Sequence, residues 1–126
     1  MSLVRVRLKR SGRSLGSFKL LLGWTERLRG LLGTTRDARQ VILCPCSSIH
    51  SFGMRYPLDV ALVGKAGTVL RSERRLAPGR VVGCRQACLV MERPARGGPW
   101  PDVGEVLAFE DNGKTWAPAG AERRVR

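Results

Sequence analysis

Hydrophobic and polar residues alternate with a period of two near the start of the chain. Between residues 3 and 9, Val4, Val6 and Leu8 alternate with Leu3 and with basic side chains. This alternation is typical of a strand that buries one face. Turn residues at 11–14 and an apolar segment at 17–22 predict a second strand, so the chain is expected to open with a hairpin.

One short helix is predicted after this hairpin. Thr25 can cap its first turn through the side-chain hydroxyl. Leu28, Leu31 and Leu32 have the i, i+3, i+4 spacing of one helical face. Gly33 suits the left-handed conformation that commonly ends a helix. The helix is only about two turns long, so it needs tertiary packing to be stable.

The rest of the chain consists of short apolar segments separated by Gly- and Pro-containing turns. These segments predict strands at residues 41–44, 57–63, 68–72, 81–82, 87–92 and 103–109. The pattern indicates a mainly β (α+β) fold, a small antiparallel β-sandwich or partly closed barrel with one short helix packed on it. We expect a single β domain over residues 1–113. The basic C-terminal tail at 114–126 lacks apolar periodicity and is expected to fray.

Length and apolar content limit the class of protein. A chain of 126 residues with 43% hydrophobic residues fits one globular domain. Its longest apolar runs are much shorter than a membrane span, so no membrane-spanning segment is expected. Basic residues from Arg5 to Arg10 interrupt any apolar segment that could serve as a signal peptide. The predicted location is therefore cytoplasmic.

The charge is strongly positive. Lys and Arg number 23 against 10 Asp and Glu, which gives a net charge of +13. Such a chain attracts nucleic acid and other polyanions at low salt. Arg outnumbers Lys 19 to 4, a bias that codon usage can also produce, and few aromatic rings are present for base stacking. Nonspecific nucleic-acid binding therefore stands as an alternative to a merely solvated basic surface.

Four ordered segments resemble the domain-of-unknown-function 192 family of small prokaryotic proteins. They are TERLRGLL at 25–32, SIHSFGMRYPLDV at 48–60, LVME at 89–92 and VGEV at 103–106. The resemblance covers roughly residues 18–109. It departs from the family pattern at Leu32, often Met in the family, and at Glu105, usually Asp. It implies a mainly β fold with one short helix, and it implies no established activity.

Asp59 is the most informative polar residue. It lies in a strongly apolar segment and shares a strand face with Ala61 and Val63, so its carboxylate needs a partner or must be protonated. Arg27, Arg55 or backbone amides are the expected donors.

Glu92 closes a strand of similar character. We predict a structural ion-pair network formed by Glu26, Arg27, Asp59 and Glu92. The catalytic alternative uses Asp59 and Glu92 as the acid and base of a carboxylate-based hydrolase.

Loops near residue 50 concentrate groups that suit binding. We predict a candidate binding rim formed by His50, Phe52, Met54, Arg55 and Trp100. In the alternative interpretation, the apolar residues of this segment begin a strand and fill the core.

The cysteines do not have the spacing of a common zinc site. Cys44 and Cys46 are two apart, and Cys84 and Cys88 would be distant along an extended strand. Cys46, His50 and Met54 form an alternative soft-ligand set for Cu(I). The default interpretation is that the cysteines are small buried hydrophobes, with no disulfide, resident metal or cofactor expected.

These observations together favour a non-enzymatic binding or accessory module, with a small ligand or a protein as its partner.

Overall fold

The computed structural model describes residues 3–118. Its elements are, in chain order, β1 (Leu3–Leu8), β2 (Ser14–Leu21), α1 (Trp24–Arg29), β3 (Val41–Leu43), β4 (Ser48–His50), β5 (Leu58–Gly64), β6 (Val69–Leu76), β7 (Val81–Gly83), β8 (Ala87–Pro94), β9 (Leu107–Asp111) and β10 (Lys114–Trp116).

Eight of these strands form one sheet in the order β10-β9-β1-β2-β3-β8-β5-β6, and β4 pairs with β7 in a second, two-stranded sheet. The prediction of a mainly β fold with one short helix is confirmed. The large sheet is mixed, because β2 and β3 run parallel while the other paired strands are antiparallel. Parallel neighbours need a crossover, which α1 and the segment after it supply. As described, the sheet is not closed into a barrel.

The centre of the large sheet, formed by β3, β8 and β5, is buried on both faces. Successive residues of β5 alternate between two core clusters, with Ala61 and Val63 in the first and Val60 and Leu62 in the second. The first cluster also contains Phe18, Met91 and Trp100, among others, and the second contains Leu43, Tyr56 and Val90. All seven residues of β5 are buried. This explains why β5 is nearly continuously apolar and why one polar residue in it must be satisfied internally.

Helix α1 differs from its prediction. Its N-cap is Gly23, with no side-chain cap, so the predicted capping role of Thr25 is wrong. The helix ends at Gly30, three residues earlier than expected, and none of its residues is buried. Leu28 is therefore 64% exposed while Leu31, which follows the helix, is buried. Within residues 3–118 no helix is long and apolar enough to cross a membrane.

Regular structure continues past the predicted domain boundary at residue 113. Strand β10 pairs with β9, and Trp116 is buried with its ring edge-on to Phe109, 5.4 Å between centroids. The prediction that the tail frays from residue 114 is therefore wrong for 114–116. Asn112 and Gly113 both have positive φ, the conformation that a tight hairpin turn requires. Residues 119–126 of the predicted tail lie outside the described residues.

Candidate functional site

Asp59 is fully buried and fully engaged. Its side chain is 0% exposed. Arg93 Nε donates to Asp59 Oδ2 at 2.8 Å, and Arg74 Nε donates to Oδ1 at 3.3 Å. The backbone N–H groups of Arg75 and Arg96 donate to the same carboxylate at 3.1 and 3.4 Å. Asp59 therefore acts as a structural ion within the sheet.

The β5–β6 pairing brings one of these donors into place. The register shifts between Leu58 and Val60, opposite Arg75, which has a φ of 55°. Such an irregularity leaves one residue without a ladder partner and re-aims its neighbours. The expectation that backbone amides satisfy Asp59 is confirmed. The expected guanidinium donors, Arg27 and Arg55, are wrong, because donors from β6 and β8 take their place.

Trp100 belongs to the Asp59 side of the sheet. Its indole Nε1 donates to the Val60 carbonyl at 3.3 Å, and Arg93 stacks 4.6 Å above its ring. The ring also lies 6.3 Å from that of Phe18 in the first core cluster. The prediction that Trp100 joins the binding rim is therefore wrong, since its loop folds into the core on this face.

Glu92 lies on the opposite face. Asp59 pairs with Arg93 across β5 and β8, and Val60 pairs with Glu92. Paired residues share a face and successive residues alternate, so the carboxylates of Asp59 and Glu92 point to opposite sides of the sheet. They cannot flank one scissile bond. The hydrolase alternative, which needs that arrangement, is wrong for this pair.

The carboxyl group of Glu92 is buried among apolar neighbours. The residue is 3% exposed, and its paired neighbours Val41 and Val60 are also buried. Among the described residues Oε1 has no hydrogen-bond partner. Loss of hydration raises the pKa of Glu92 from its ordinary value of 4.5 to about 7. Oε1 is therefore a buried acceptor that no group within residues 3–118 satisfies.

Arg27 reaches the same place from α1. Its Nη1 donates to the carbonyl of Pro45, whereas Nε is buried without a partner among the described residues. Within residues 3–118 no ion pair joins Arg27 to Glu92. Glu26 lies exposed at the start of the helix with its carboxylate beside Gly23. The predicted network of Glu26, Arg27, Asp59 and Glu92 is therefore wrong as a single ion-pair cluster.

Arg27 and Glu92 line one small cavity, which we call the Glu92 cavity. Its volume is about 70 Å³, and Gly30, Leu43, His50, Phe52 and Met54 are among its other lining residues. Gly30 ends α1 directly over the carboxylate, because a Cβ at this position would lie 2.8 Å from Glu92 Oε1. The helix end is thus held close to the acid by a residue without a side chain.

The mouth of the Glu92 cavity is exposed and combines apolar side chains with the polar residues Arg29, Ser48 and His50. Leu28 is 64% exposed and Phe52 is 54% exposed. The rings of His50 and Phe52 lie 5.6 Å apart at this edge. Three members of the predicted rim, His50, Phe52 and Met54, are therefore brought together here.

Arg55 lies in a neighbouring groove with Thr34, Thr35, Arg36 and Tyr56. Met54 contributes to both spaces, so this groove adjoins the Glu92 cavity. The core interpretation also holds for part of the segment, since Met54 and Tyr56 are buried in the second core cluster.

Cys46 lies close enough to Arg27 and Glu92 for their charges to act on its thiol, whereas Cys44 is buried in the first core cluster. Cys46 Sγ donates to the Ser48 carbonyl at 3.1 Å, and burial raises the pKa of this thiol despite that bond. Across residues 3–118 no three His, Cys, Asp or Glu side chains are grouped to hold a metal. His50 is exposed while Met54 is in the core, which does not support the Cu(I) alternative with Cys46.

The basic arm of β1 is partly neutralised. Arg5 and Arg7 point outward, and Arg7 Nη1 forms an ion pair with Glu110 of β9 at 3.2 Å. Arg5 is also paired in register with Glu110. This arrangement places an acid within the stripe that the nucleic-acid alternative needs to be uniformly basic.

Comparison with known proteins shows the fold alone. The chain matches no protein-family model and no curated sequence. It is similar to a crystal structure from Sinorhizobium meliloti 1021 described as a "putative transcription regulator", with a TM-score of 0.67, 18% identity, and coverage of 90% of this chain and 95% of that one. It is also similar to a protein of unknown function from Novosphingobium aromaticivorans DSM 12444, with a TM-score of 0.63, 17% identity, and coverage of 83% and 82%.

Proposed function

We propose that the protein is a non-enzymatic binding module that takes the polar end of a small ligand into the Glu92 cavity. One observation carries this proposal. Two buried polar atoms of opposite character, Arg27 Nε and Glu92 Oε1, lack partners among the described residues, and both belong to residues that line the same cavity. A ligand that supplies the missing hydrogen bonds would satisfy both.

The energetics support a ligand in this position. A buried polar group without a partner costs about 1–3 kcal/mol, and more when it is charged. Across the same sheet Asp59 has four donors, so the fold is able to satisfy a buried carboxylate where nothing else is needed. The unsatisfied Glu92 is the local inconsistency that functional sites typically show.

The surroundings favour binding over catalysis. Asp59, the other buried acid, lies on the opposite face and is held by arginines. The Cys46 thiol is bonded to a carbonyl, and its raised pKa keeps it from being an effective nucleophile. The exposed apolar side chains at the mouth suit the body of a bound ligand.

We also propose membership in the domain-of-unknown-function 192 family, as the motif order suggests. Support comes from the position of the motifs. Arg27 and Gly30 of the first motif, Phe52 and Met54 of the second, and Glu92 of the third all line the Glu92 cavity. Segments distant in sequence therefore meet at the proposed site.

The test is a fragment screen by amide-resolved NMR on the full chain. We expect small polar fragments to shift the resonances of Gly30, Phe52 and their neighbours. A Glu92→Leu variant removes the acceptor without leaving a buried charge and should abolish those shifts. A Glu110→Gln variant removes an exposed carboxylate far from the cavity and should bind as wild type does. Fragments that shift only other regions, or that bind Glu92→Leu equally well, would contradict the proposal.

A further inference from the structure

We infer that the ligand presents a neutral carboxamide or lactam, with an acceptor and a donor side by side, to Arg27 and Glu92. This inference rests on the proposed function and names the chemistry of the group that enters the Glu92 cavity. It follows from what each wall of the cavity offers and from the space between the walls.

The Arg27 wall can only donate. A guanidinium has five N–H donors and no acceptor, and it keeps its charge in proteins. Nη1 is already used by the Pro45 carbonyl, which fixes the side chain, whereas the buried Nε–H has no partner in the described part of the chain. A ligand group at this wall must therefore be an acceptor, such as a carbonyl oxygen.

The Glu92 wall calls for a donor. The free Oε1 accepts a hydrogen bond in the ionised state, and a donor on the ligand satisfies it. A ligand carboxylate would instead place a second anion against the ionised Glu92, which is unfavourable. A purely cationic group would suit Glu92 but would offer no acceptor to Arg27 and would add a like charge beside it.

The gap between the two walls favours two ligand atoms over one. No ion pair joins Arg27 and Glu92 in the described chain, so the guanidinium nitrogens and carboxylate oxygens lie farther apart than a salt-bridge distance. A hydroxyl would have to reach both groups through one oxygen. An amide reaches Nε–H with its oxygen and Oε1 with its N–H, using adjacent atoms held in one plane.

The size of the site sets which part of the ligand enters. A volume of about 70 Å³ accommodates a head group or a few waters, and it does not hold a whole drug-sized ligand. The remainder of the ligand must lie at the mouth, where Leu28 and Phe52 are exposed and the His50 ring adjoins. We therefore expect an apolar or aromatic substituent on the amide.

Three probes of matched shape separate the possibilities. Benzamide has one acceptor and one donor group, benzoate has acceptors only, and benzamidine has donors only. Each is titrated into the full 15N-labelled chain at about pH 8, where Glu92 is mostly ionised because its pKa is about 7, with Gly30 and Phe52 as reporters. We expect benzamide to bind at least about tenfold more tightly than the other two, since each of them leaves one wall unsatisfied.

Two variants of one residue control for local packing. Glu92→Leu should weaken benzamide binding by about tenfold or more, because it removes the acceptor. Glu92→Gln keeps an amide oxygen that can accept, so it should retain most of the affinity. Equal losses in both variants would show that the contact is steric and would overturn the inference.

The remaining outcomes distinguish the two proposals. If benzoate or benzamidine shifts the cavity resonances as tightly as benzamide does, the amide inference fails while the binding function stands. If no probe shifts Gly30 and Phe52 at tens of millimolar, or if all shifts persist in Glu92→Leu, both proposals fail.

Discussion

Replacing Glu92 with Gln removes one buried titrating group and nearly conserves its volume. The pKa of Glu92 is raised to about 7 in the folded protein, against 4.5 for an ordinary glutamate. This difference corresponds to about 3 kcal/mol of free energy between the two protonation states. At pH values where Glu92 is ionised in the unfolded chain, Glu92→Gln should recover most of this free energy as added stability.

The sign follows from proton binding. Between pH 4.5 and about 7 the folded state holds the Glu92 proton while the unfolded state has lost it. The free energy of unfolding therefore falls as pH rises through this window, and the full loss is present above it. The reference is the difference in the free energy of unfolding between Glu92→Gln and wild type at about pH 4. By about pH 8 this difference should have changed by about 3 kcal/mol in favour of the variant.

Urea denaturation at intervals between those pH values measures the effect. Arg27 and His50 also line the cavity and are present in both proteins, so only their coupling to Glu92 enters the difference. Burial raises the pKa of Cys46 further above this range, so the thiol adds no titration there. Glu110→Gln serves as the control and should run parallel to wild type. A constant difference between Glu92→Gln and wild type across the range would refute the reasoning.

Three further predictions test the rest of the molecule. Asp59→Asn leaves Arg93 buried without its anion, so it should cost about 3–5 kcal/mol of unfolding free energy and lower Tm by about 10–15 °C. Glu110→Gln at the exposed ion pair should cost about 1 kcal/mol or less. Similar Tm values for the two variants would contradict this prediction. Gly30→Ala should cost about 2 kcal/mol more than Gly79→Ala in chemical denaturation, because both have positive φ but only the Gly30 Cβ would meet Glu92; equal costs would show that the contact relaxes. The net charge of +13 predicts that the protein binds duplex DNA with an affinity that falls steeply as salt concentration rises, which fluorescence anisotropy can measure. Tight binding that is independent of salt concentration would contradict this prediction.

The sequence pattern was sufficient to predict that Asp59 is buried and needs donors, but not to identify the arginines that donate to it. Alternation placed it on the face of Ala61 and Val63, and the cost of burying a carboxylate required donors. Arg93 and Arg74 lie 34 and 15 residues away along the chain. Only the pairing register of β5 with β8 and β6 brings them opposite Asp59, and register is a tertiary property. Arg93 follows Glu92 directly, so the strand period could have assigned the two to opposite faces.

The Glu92 cavity was predictable in part for a similar reason. His50, Phe52 and Met54 are near in sequence, so one loop could be identified as a rim. Trp100 was assigned to that rim because a rigid loop has no periodicity from which to read its direction. The helix end was missed because Leu28, Leu31 and Leu32 have helical spacing, although the chain leaves the helix at Gly30.

Strands β4 and β10 were not predicted, for a different physical reason. Each has three residues and, unlike the equally short β3 and β7, contains no two adjacent apolar residues that would mark a strand. Their stability comes from a partner strand and from one buried anchor, Ile49 in β4 and Trp116 in β10. For β10 the local signal was the Asn112-Gly113 turn, which by itself favours a hairpin.

The two carboxylates on adjacent strands show how the sheet divides its roles. On one face, Asp59 binds four donors and joins β5, β6 and β8, so this face resists rearrangement. On the other face, Glu92 directly precedes Arg93, the β8 residue that pairs with Asp59. Its Oε1 lies beneath the end of α1 and has no hydrogen-bond partner among the described residues. Because side chains on opposite faces do not compete for the same donors, the fold can satisfy one acid without satisfying the other. A rigid scaffold behind an unsatisfied acceptor is the arrangement that preorganised binding requires, since the site does not have to be ordered when the ligand arrives.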